Sequence, residues 1–265
     1  RQIVIKAKKS LGQNFLVDQN ILKKIVNITE IKNKTVLEIG PGTGNLTSYI
    51  LLKKPKKIFV IEKDKSLATR LSNHFKDKIN VINKDILLVN EKKLDDDKLV
   101  VFGNLPYNIS TKILSKWILN LDKNKFWFSC LILMFQKEVA DRIISKFNSS
   151  KYGRITILSN WRLDIKKICD VKSSSFAPRP KVNSSLLYFK PKHFFFDINN
   201  PKNLEKITRT FFNQRRKMLK KPLNQLFDGN TEIARKLNID LDLRPQNLDF
   251  ETYYKLAEEY EKLRG

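Results

Sequence analysis

The sequence predicts an α/β fold: a mostly parallel sheet covered by helices, followed by a small all-helical domain. Three observations predict it. Short apolar, β-branched runs alternate with amphipathic stretches through the first part of the chain. A glycine-rich turn, Gly40 to Gly44, separates one such run from the stretch after it. From about Pro201 onward the spacing of apolar residues is purely helical.

The strand-like runs are Thr35–Ile39, Ile58–Glu62, Asn80–Ile82, Leu99–Gly103 and Phe128–Phe135. Between them Asn45–Lys53, Lys65–Lys76 and Thr111–Leu121 read as helices. Strands that alternate with helices pair in parallel, and the helices cover both faces of the sheet. Ser110 is the expected N-cap of the helix carrying Ile113, Leu114, Trp117 and Leu121. Ser173-Ser174-Ser175 leads into Phe176-Ala177-Pro178-Arg179-Pro180. That loop is stiff, because each proline fixes its own φ and holds its predecessor extended. Val182–Phe189 reads as one more strand. Beyond it Leu204, Ile207, Phe211 and Met218 form an apolar stripe. Lys206, Arg209, Asn213, Arg216 and Lys220 recur at alternating steps of three and four on another face. Further helices are expected at Thr231–Leu237 and Phe250–Leu263, and the domains at residues 1–192 and 193–265.

The chain has 265 residues, 41% of them hydrophobic, which is enough to bury a core. Its formal net charge of +25 costs self-repulsion and favours a polyanionic partner, nucleic acid first and an anionic membrane second. No run reaches the roughly 18 apolar residues of a spanning helix, so no membrane partner is expected. No charged-then-apolar segment opens the sequence, so nothing in it argues for secretion; it begins at Arg1 rather than Met, so a missing natural N-terminus is the expectation. Cys130, Cys169, His74 and His193 are isolated, which leaves no zinc set and fits a reducing, cytoplasmic compartment.

Glycines at 40, 42 and 44 permit positive φ and close approach of a ligand. The same run also fits an ordinary tight βα turn. A dinucleotide fingerprint requires GxGxxG, but here the third glycine comes one residue early and Asn45 follows, which argues against NAD. No GK[ST] is present, which excludes a phosphate loop. Glu62 closes the second strand-like run and suits the two hydroxyls of a ribose. Asp85 follows the third and suits an adenine amine. Either acid, taken singly, also reads as a solvated surface group.

Asn104-Leu105-Pro106-Tyr107 lies at the end of the fourth run, where open α/β sheets bind ligands. An adenine amine is a poor nucleophile because its lone pair is delocalised into the ring. Acceptors on both N–H bonds hold the nitrogen toward a pyramidal geometry and return the lone pair to it. The Asn104 side-chain oxygen and the Leu105 carbonyl suit that task. Pro106 fixes the backbone, and Tyr107 offers a flat face for the base and a π cloud for a cation. Together with the glycine loop this points to methyl transfer onto a base nitrogen, with alignment worth about 7–11 kcal/mol in favourable cases. Phe176 has two readings, a second stacking wall for an extruded base or a core aromatic that anchors its loop. Arg179 and Lys181 suit flanking phosphates.

The order and spacing of these elements resemble the Rossmann-like S-adenosylmethionine-dependent methyltransferases. That resemblance gives Glu38, Gly40 and Gly42 to the methionine end of the cofactor, Glu62 to the ribose and Asp85 to the adenine. Leu11-Gly12-Gln13-Asn14-Phe15-Leu16, Asn104 to Ser110, Gln136 to Ala140, Phe176 to Val182 and Phe212 to Leu219 narrow it further. They resemble the KsgA/Dim family, the small-subunit rRNA adenine N6-dimethyltransferases, over nearly the whole chain. This resemblance implies S-adenosylmethionine as cofactor and two adjacent adenosines near the 3′ end of small-subunit rRNA as substrate. It also implies that Gln13, Asn14 and Leu16 close over the methionine end; Asn14 alone reads equally as a cap or turn residue. Lys166 to Lys221 holds fifteen Lys and Arg against Asp170, Asp197 and Glu205. Arg179, Lys181, Arg209, Arg215, Arg216, Lys217 and Lys220 are therefore the expected RNA contacts. Affinity for RNA should fall by about 0.7–0.9 log units per contacted phosphate per log unit of salt.

Rival readings share part of this pattern. A macrolide-resistance large-subunit rRNA methyltransferase has the same cofactor loop and amine grip, but the Phe176 loop and the Phe212 run resemble the small-subunit family. A DNA adenine methyltransferase needs a target-recognition region that is not visible. A non-catalytic RNA-binding or assembly factor predicts a damaged pocket, whereas Glu62, Asp85, Asn104 and Tyr107 are all present. With no exposed apolar helix face evident, a monomer is expected.

Overall fold

The computed structural model describes residues 6–8, 11–123, 125–230 and 232–264. In chain order its elements are β1 (Phe15–Leu16), α1 (Gln19–Val26), β2 (Thr35–Ile39), α2 (Asn45–Leu52), β3 (Lys57–Ile61), α3 (Lys65–Phe75) and β4 (Asn80–Ile82). There follow β5 (Leu99–Asn104), α4 (Ser110–Leu119), β6 (Phe128–Gln136), α5 (Lys137–Ile143), α6 (Arg154–Arg162), β7 (Leu163–Val171), β8 (Phe176–Ala177) and β9 (Ser184–Pro191). Helices α7 (Pro201–Phe212), α8 (Lys220–Leu226), α9 (Glu232–Lys236) and α10 (Phe250–Arg264) complete it.

A seven-stranded sheet runs β4-β3-β2-β5-β6-β9-β7, and β1 pairs separately with β8. β2 lies parallel to both β3 and β5, and β6 runs parallel to β5. β9 is antiparallel to β6. Every residue of β2 is buried, as expected of a strand covered on both faces. The strand order reverses direction between β2 and β5. The loops that follow these neighbours therefore diverge and open a crevice at the carboxyl edge. Aspartates set the helix starts: Asp18 accepts from Asn20 N at 3.0 Å, and Asp64 accepts from Ser66 N at 2.9 Å.

The chain packs as two compact units. One holds Arg1–Ile113, Phe126–Ala140 and Lys166–Lys190; the other holds Leu114–Lys125, Asp141–Ile165 and Pro191–Gly265. The sequence reading sets a single boundary at 192/193, while the packing gathers 114–125 and 141–165 with the C-terminal helices. In the second unit, aromatic rings fill the centre. Tyr152 meets Phe250 edge-on at 5.3 Å, and Tyr253 meets Phe211 at 5.5 Å. The Tyr253 hydroxyl donates to the Pro245 carbonyl at 2.6 Å, so the buried ring leaves no polar end unpaired.

Several expectations are corrected. Ser110 is the first residue of α4 rather than its cap, and its hydroxyl donates back to the Tyr107 carbonyl at 3.4 Å. β3 begins and ends one residue earlier than expected, which puts Glu62 just beyond the strand. Leu204, Ile207 and Phe211 are buried on α7, but the helix ends at Phe212, so Met218 lies outside it and is 52% exposed. The same turn removes Arg216 and Lys220 from the face that carries Arg209. β7, a nine-residue strand, is absent from the sequence reading. It occupies the sheet edge, where exposed Lys166 and Lys167 interrupt the apolar pattern. Thr231, expected to open a helix, lies outside the described residues. No helix among the described residues is long and apolar enough to cross a membrane.

Candidate active site

The crevice between the ends of β2 and β5 is a cavity of about 270 Å³, lined among others by Gln13, Asn14, Gly40, Gly42, Glu62, Asp85, Asn104, Leu105, Pro106 and Tyr107. The loop after β2 forms one wall. Gly42 has φ 57, and a Cβ there would stand 2.6 Å from Cδ1 of Phe15. A Cβ on Gly40 would stand 3.1 Å from the Asn104 carbonyl oxygen, so the loops after β2 and β5 touch through backbone.

Glu38 lies beneath this loop, 2% exposed, and its carboxylate accepts from the Thr47 hydroxyl at 2.5 Å. Burial pushes its carboxyl up to about 7, against the pull of Thr47, and the nearby Glu62 charge adds to the rise. Glu62 accepts from Asp64 N at 2.9 Å and from Gly42 N at 3.3 Å. Burial raises its carboxyl too, and these backbone donors hold it back. Asp85 accepts from Leu87 N at 3.0 Å with one oxygen and meets Lys63 Nζ at 3.0 Å with the other.

On the opposite wall, the Asn104 Nδ2 donates to the Asn14 carbonyl at 2.9 Å. A carbonyl only accepts, so the amide orientation is forced and Oδ1 becomes the acceptor left for a ligand. The Tyr107 phenol shares a 2.7 Å hydrogen bond with the Ser184 hydroxyl. Lys8 and Gln13 are both tied to Asp64, which meets Lys8 Nζ at 2.7 Å and accepts from Gln13 Nε2 at 3.3 Å. Lys8, first among these contacts, holds the Asp64 carboxyl below its ordinary range.

Ten residues named from sequence thus share the cavity. Glu38 and Leu16 border a smaller apolar crevice beside it. Phe176 is a correction. It pairs with Leu16 in the β1–β8 ladder, is 3% exposed and packs in the apolar core, so of its two readings the structure has the core aromatic. Arg179 and Lys181 are exposed, and the Arg179 Nε donates to the Ser173 hydroxyl at 2.9 Å. In the second unit Arg209, Arg216, Lys217 and Lys220 are exposed, and Arg209 pairs with Glu205. Arg215 is turned inward and donates to the carbonyls of Tyr152 at 2.6 Å and Ser149 at 3.3 Å. Its guanidinium ties a loop together rather than facing a phosphate. Sequence reasoning misses Asp64, Lys63 and Ser184, whose partners lie far away in the chain. Among the described residues no group of His, Cys, Asp and Glu could hold a metal ion.

These residues fit an adenosyl cofactor: two carboxylates stand at the strand ends, and the glycine turn leaves room that a side chain would fill. Glu38 also has a measurable consequence without ligand. Folding favours its protonated form, so its contribution to stability is fully present below 4.5 and is lost as pH rises through about 7. At 1.36 kcal/mol per pH unit the loss is about 3 kcal/mol. Glu38→Gln should therefore gain on the wild type between pH 5 and pH 8 in urea unfolding; parallel curves would contradict the assignment.

Comparison with known proteins agrees with this geometry. Residues 4–262 match the family model described as ribosomal RNA adenine dimethylase. The chain is 66% identical to ribosomal RNA small subunit methyltransferase A of Pelagibacter ubique (strain HTCC1062), over 98% of this chain and 99% of that one. It is 40% identical to the protein of the same name in Wolbachia sp. subsp. Drosophila simulans (strain wRi), over 99% and 97%. Among solved structures, a dimethyladenosine transferase from Plasmodium falciparum superposes with a TM-score of 0.79 at 28% identity, covering 94% of this chain and 98% of that one. The 23S rRNA methyltransferase ErmE, at 20% identity and a TM-score of 0.67 over 94% of this chain and 100% of that one, shares the fold. The strand-end pocket with the Asn104–Tyr107 loop at its edge agrees with what the match across almost the whole length shows: the chain belongs to the ribosomal RNA adenine dimethylase family.

Proposed function

We propose that this chain dimethylates N6 of two adjacent adenosines near the 3′ end of small-subunit rRNA, using S-adenosylmethionine. The observation that carries this reading is one cavity shared by Gly40, Gly42, Glu62 and Asp85 on one side and by Asn104 to Tyr107 on the other. Bound S-adenosylmethionine supplies an electrophilic methyl group on a positively charged sulfur. Glu62 would accept from its ribose, Asp85 from its adenine, and Gln13 and Asn14 would cover its methionine end. Asn104 Oδ1 and the Leu105 carbonyl accept the two N–H bonds of the target amine and direct its lone pair out of the ring. Tyr107 carries the base on its face. As the new C–N bond forms, the nitrogen becomes strongly acidic and its proton passes to water, so no general base is required. Alignment does most of the work.

Arg179, Lys181, Arg209, Arg216, Lys217 and Lys220 are proposed phosphate contacts, whereas Arg215 holds the protein's own loop carbonyls. One copy of the chain contains every residue this reading needs, which suits a monomer acting in the cytoplasm on the subunit or its precursor. The test is to offer labelled S-adenosylmethionine with unmethylated small subunits, large subunits or DNA. Label is expected on small subunits alone, as dimethyladenosine. Label on large subunits would favour the macrolide-resistance reading, and none on any substrate would leave a non-catalytic RNA-binding factor.

A further inference from the structure

Ser184 opens β9 and is fully buried, and it stands opposite Gln136 of β6 in the antiparallel ladder. Its neighbour Asn183 accepts from Ser173 N at 3.0 Å through its side chain and from Lys137 N at 2.9 Å through its carbonyl. The Ser184 hydroxyl is thus fixed by the sheet and by the turn before the Phe176 loop. Its 2.7 Å bond reaches across the fold to the phenol of half-buried Tyr107, 77 residues away in sequence. Tyr107 sits in a turn rather than in a strand, so this bond is the polar anchor of a ring that lines the cavity.

The chemistry of two successive transfers makes such an anchor matter unequally. In each transfer the amine nitrogen forms one C–N bond, the electron pair of the broken S–C bond stays on sulfur, and one N–H proton goes to water. Adenosine meets the loop with two N–H donors for the two acceptors at Asn104 and Leu105. N6-methyladenosine has one N–H, so one acceptor loses its donor and half of the directional grip is gone. Orientation of the monomethylated base then depends more on the ring beneath it.

We propose that Ser184 is a positioning residue for the second methyl transfer: its hydroxyl holds the Tyr107 ring that carries the monomethylated adenine. The inference rests on the adenine dimethylation reading and adds the residue that favours completion of the second step. The bond joins two neutral groups, and a bond of that kind changes a rate by about fivefold to tenfold when the reacting geometry depends on it.

The test measures single-turnover rate constants for the first and second methylation of unmethylated small subunits, with mono- and dimethyladenosine quantified by mass spectrometry. Wild type, Ser184→Ala, Tyr107→Phe and the double variant are compared. Each single variant should lower the ratio of second to first rate constant by roughly fivefold to tenfold and accumulate monomethyladenosine, and the double variant should match the singles. S-adenosylhomocysteine affinity by calorimetry should stay at the wild-type value. A merely structural role would slow both steps together at a constant ratio, and that result overturns the proposal. So does a normal ratio in Tyr107→Phe, which removes the far end of the bond without touching the sheet. A wild-type protein that methylates no adenosine at all would instead overturn the underlying reading of function.

Discussion

Asn104→Ala should slow methyl transfer by roughly 10²–10³-fold, the usual cost of removing one preorganised group aimed at a reacting centre. Its amide has two tasks. Nδ2 donates to the Asn14 carbonyl and ties the N-terminal segment to the end of β5, while Oδ1 is the proposed acceptor for the base amine. Alanine removes both. The first loss should loosen cofactor binding modestly, since Lys8 and Gln13 still anchor that segment at Asp64. The second should fall on the chemical step and leave rRNA affinity at its wild-type level, because that affinity rests on phosphates outside the cavity. Asn104→Asp separates the two tasks. A carboxylate still accepts from the amine but repels the Asn14 carbonyl, so its rate should lie between those of wild type and alanine. Single-turnover transfer, filter binding of subunits and calorimetry of the cofactor measure the three effects independently. An alanine variant that dimethylated at the wild-type rate would remove Asn104 from the mechanism.

The pocket is unusually legible in the sequence because its parts are local. Gly40, Gly42, Glu62, Asp85 and Asn104 to Tyr107 each sit at the end of an apolar run, and a parallel sheet brings such ends to one edge without further information. Contacts that span the chain leave no local trace. Gln13 reaches Asp64 over 51 residues, and Arg215 reaches Tyr152 over 63. Arg215 therefore reads from sequence as one more exposed cation in a basic run, and only folding turns it inward. Phe176 misleads in a related way. An aromatic in a proline-rich loop suits a base-stacking wall, but its pairing with Leu16 is a tertiary choice that burial decides. The stripe ending at Met218 fails differently. Helical spacing continues arithmetically past Phe212, and neither proline nor glycine marks the turn there.

Gly42→Ala and Gly44→Ala should part company, and their difference tests whether the glycine turn is a cofactor cradle or only a tight turn. Both positions have positive φ, 57 and 86, so a side chain at either costs about 1–2 kcal/mol in backbone strain. Both also direct a new Cβ at an aromatic ring. At Gly44 it meets Phe75 at 2.7 Å, a ring buried in the core and away from the cavity. At Gly42 it meets Phe15 at 2.6 Å, and Phe15 lines the cavity. Gly42 also gives its N–H to Glu62, the proposed ribose acceptor, so displacing this backbone disturbs that carboxylate as well. The two variants should therefore lose similar stability in urea, while only Gly42→Ala loses cofactor affinity, by at least about tenfold if some 1.4 kcal/mol of binding is lost. Calorimetric titration with S-adenosylhomocysteine decides the matter, because it reads the pocket without requiring any rRNA. Equal affinity in the two variants would reduce the glycine run to a structural turn and remove the cofactor-cradle assignment.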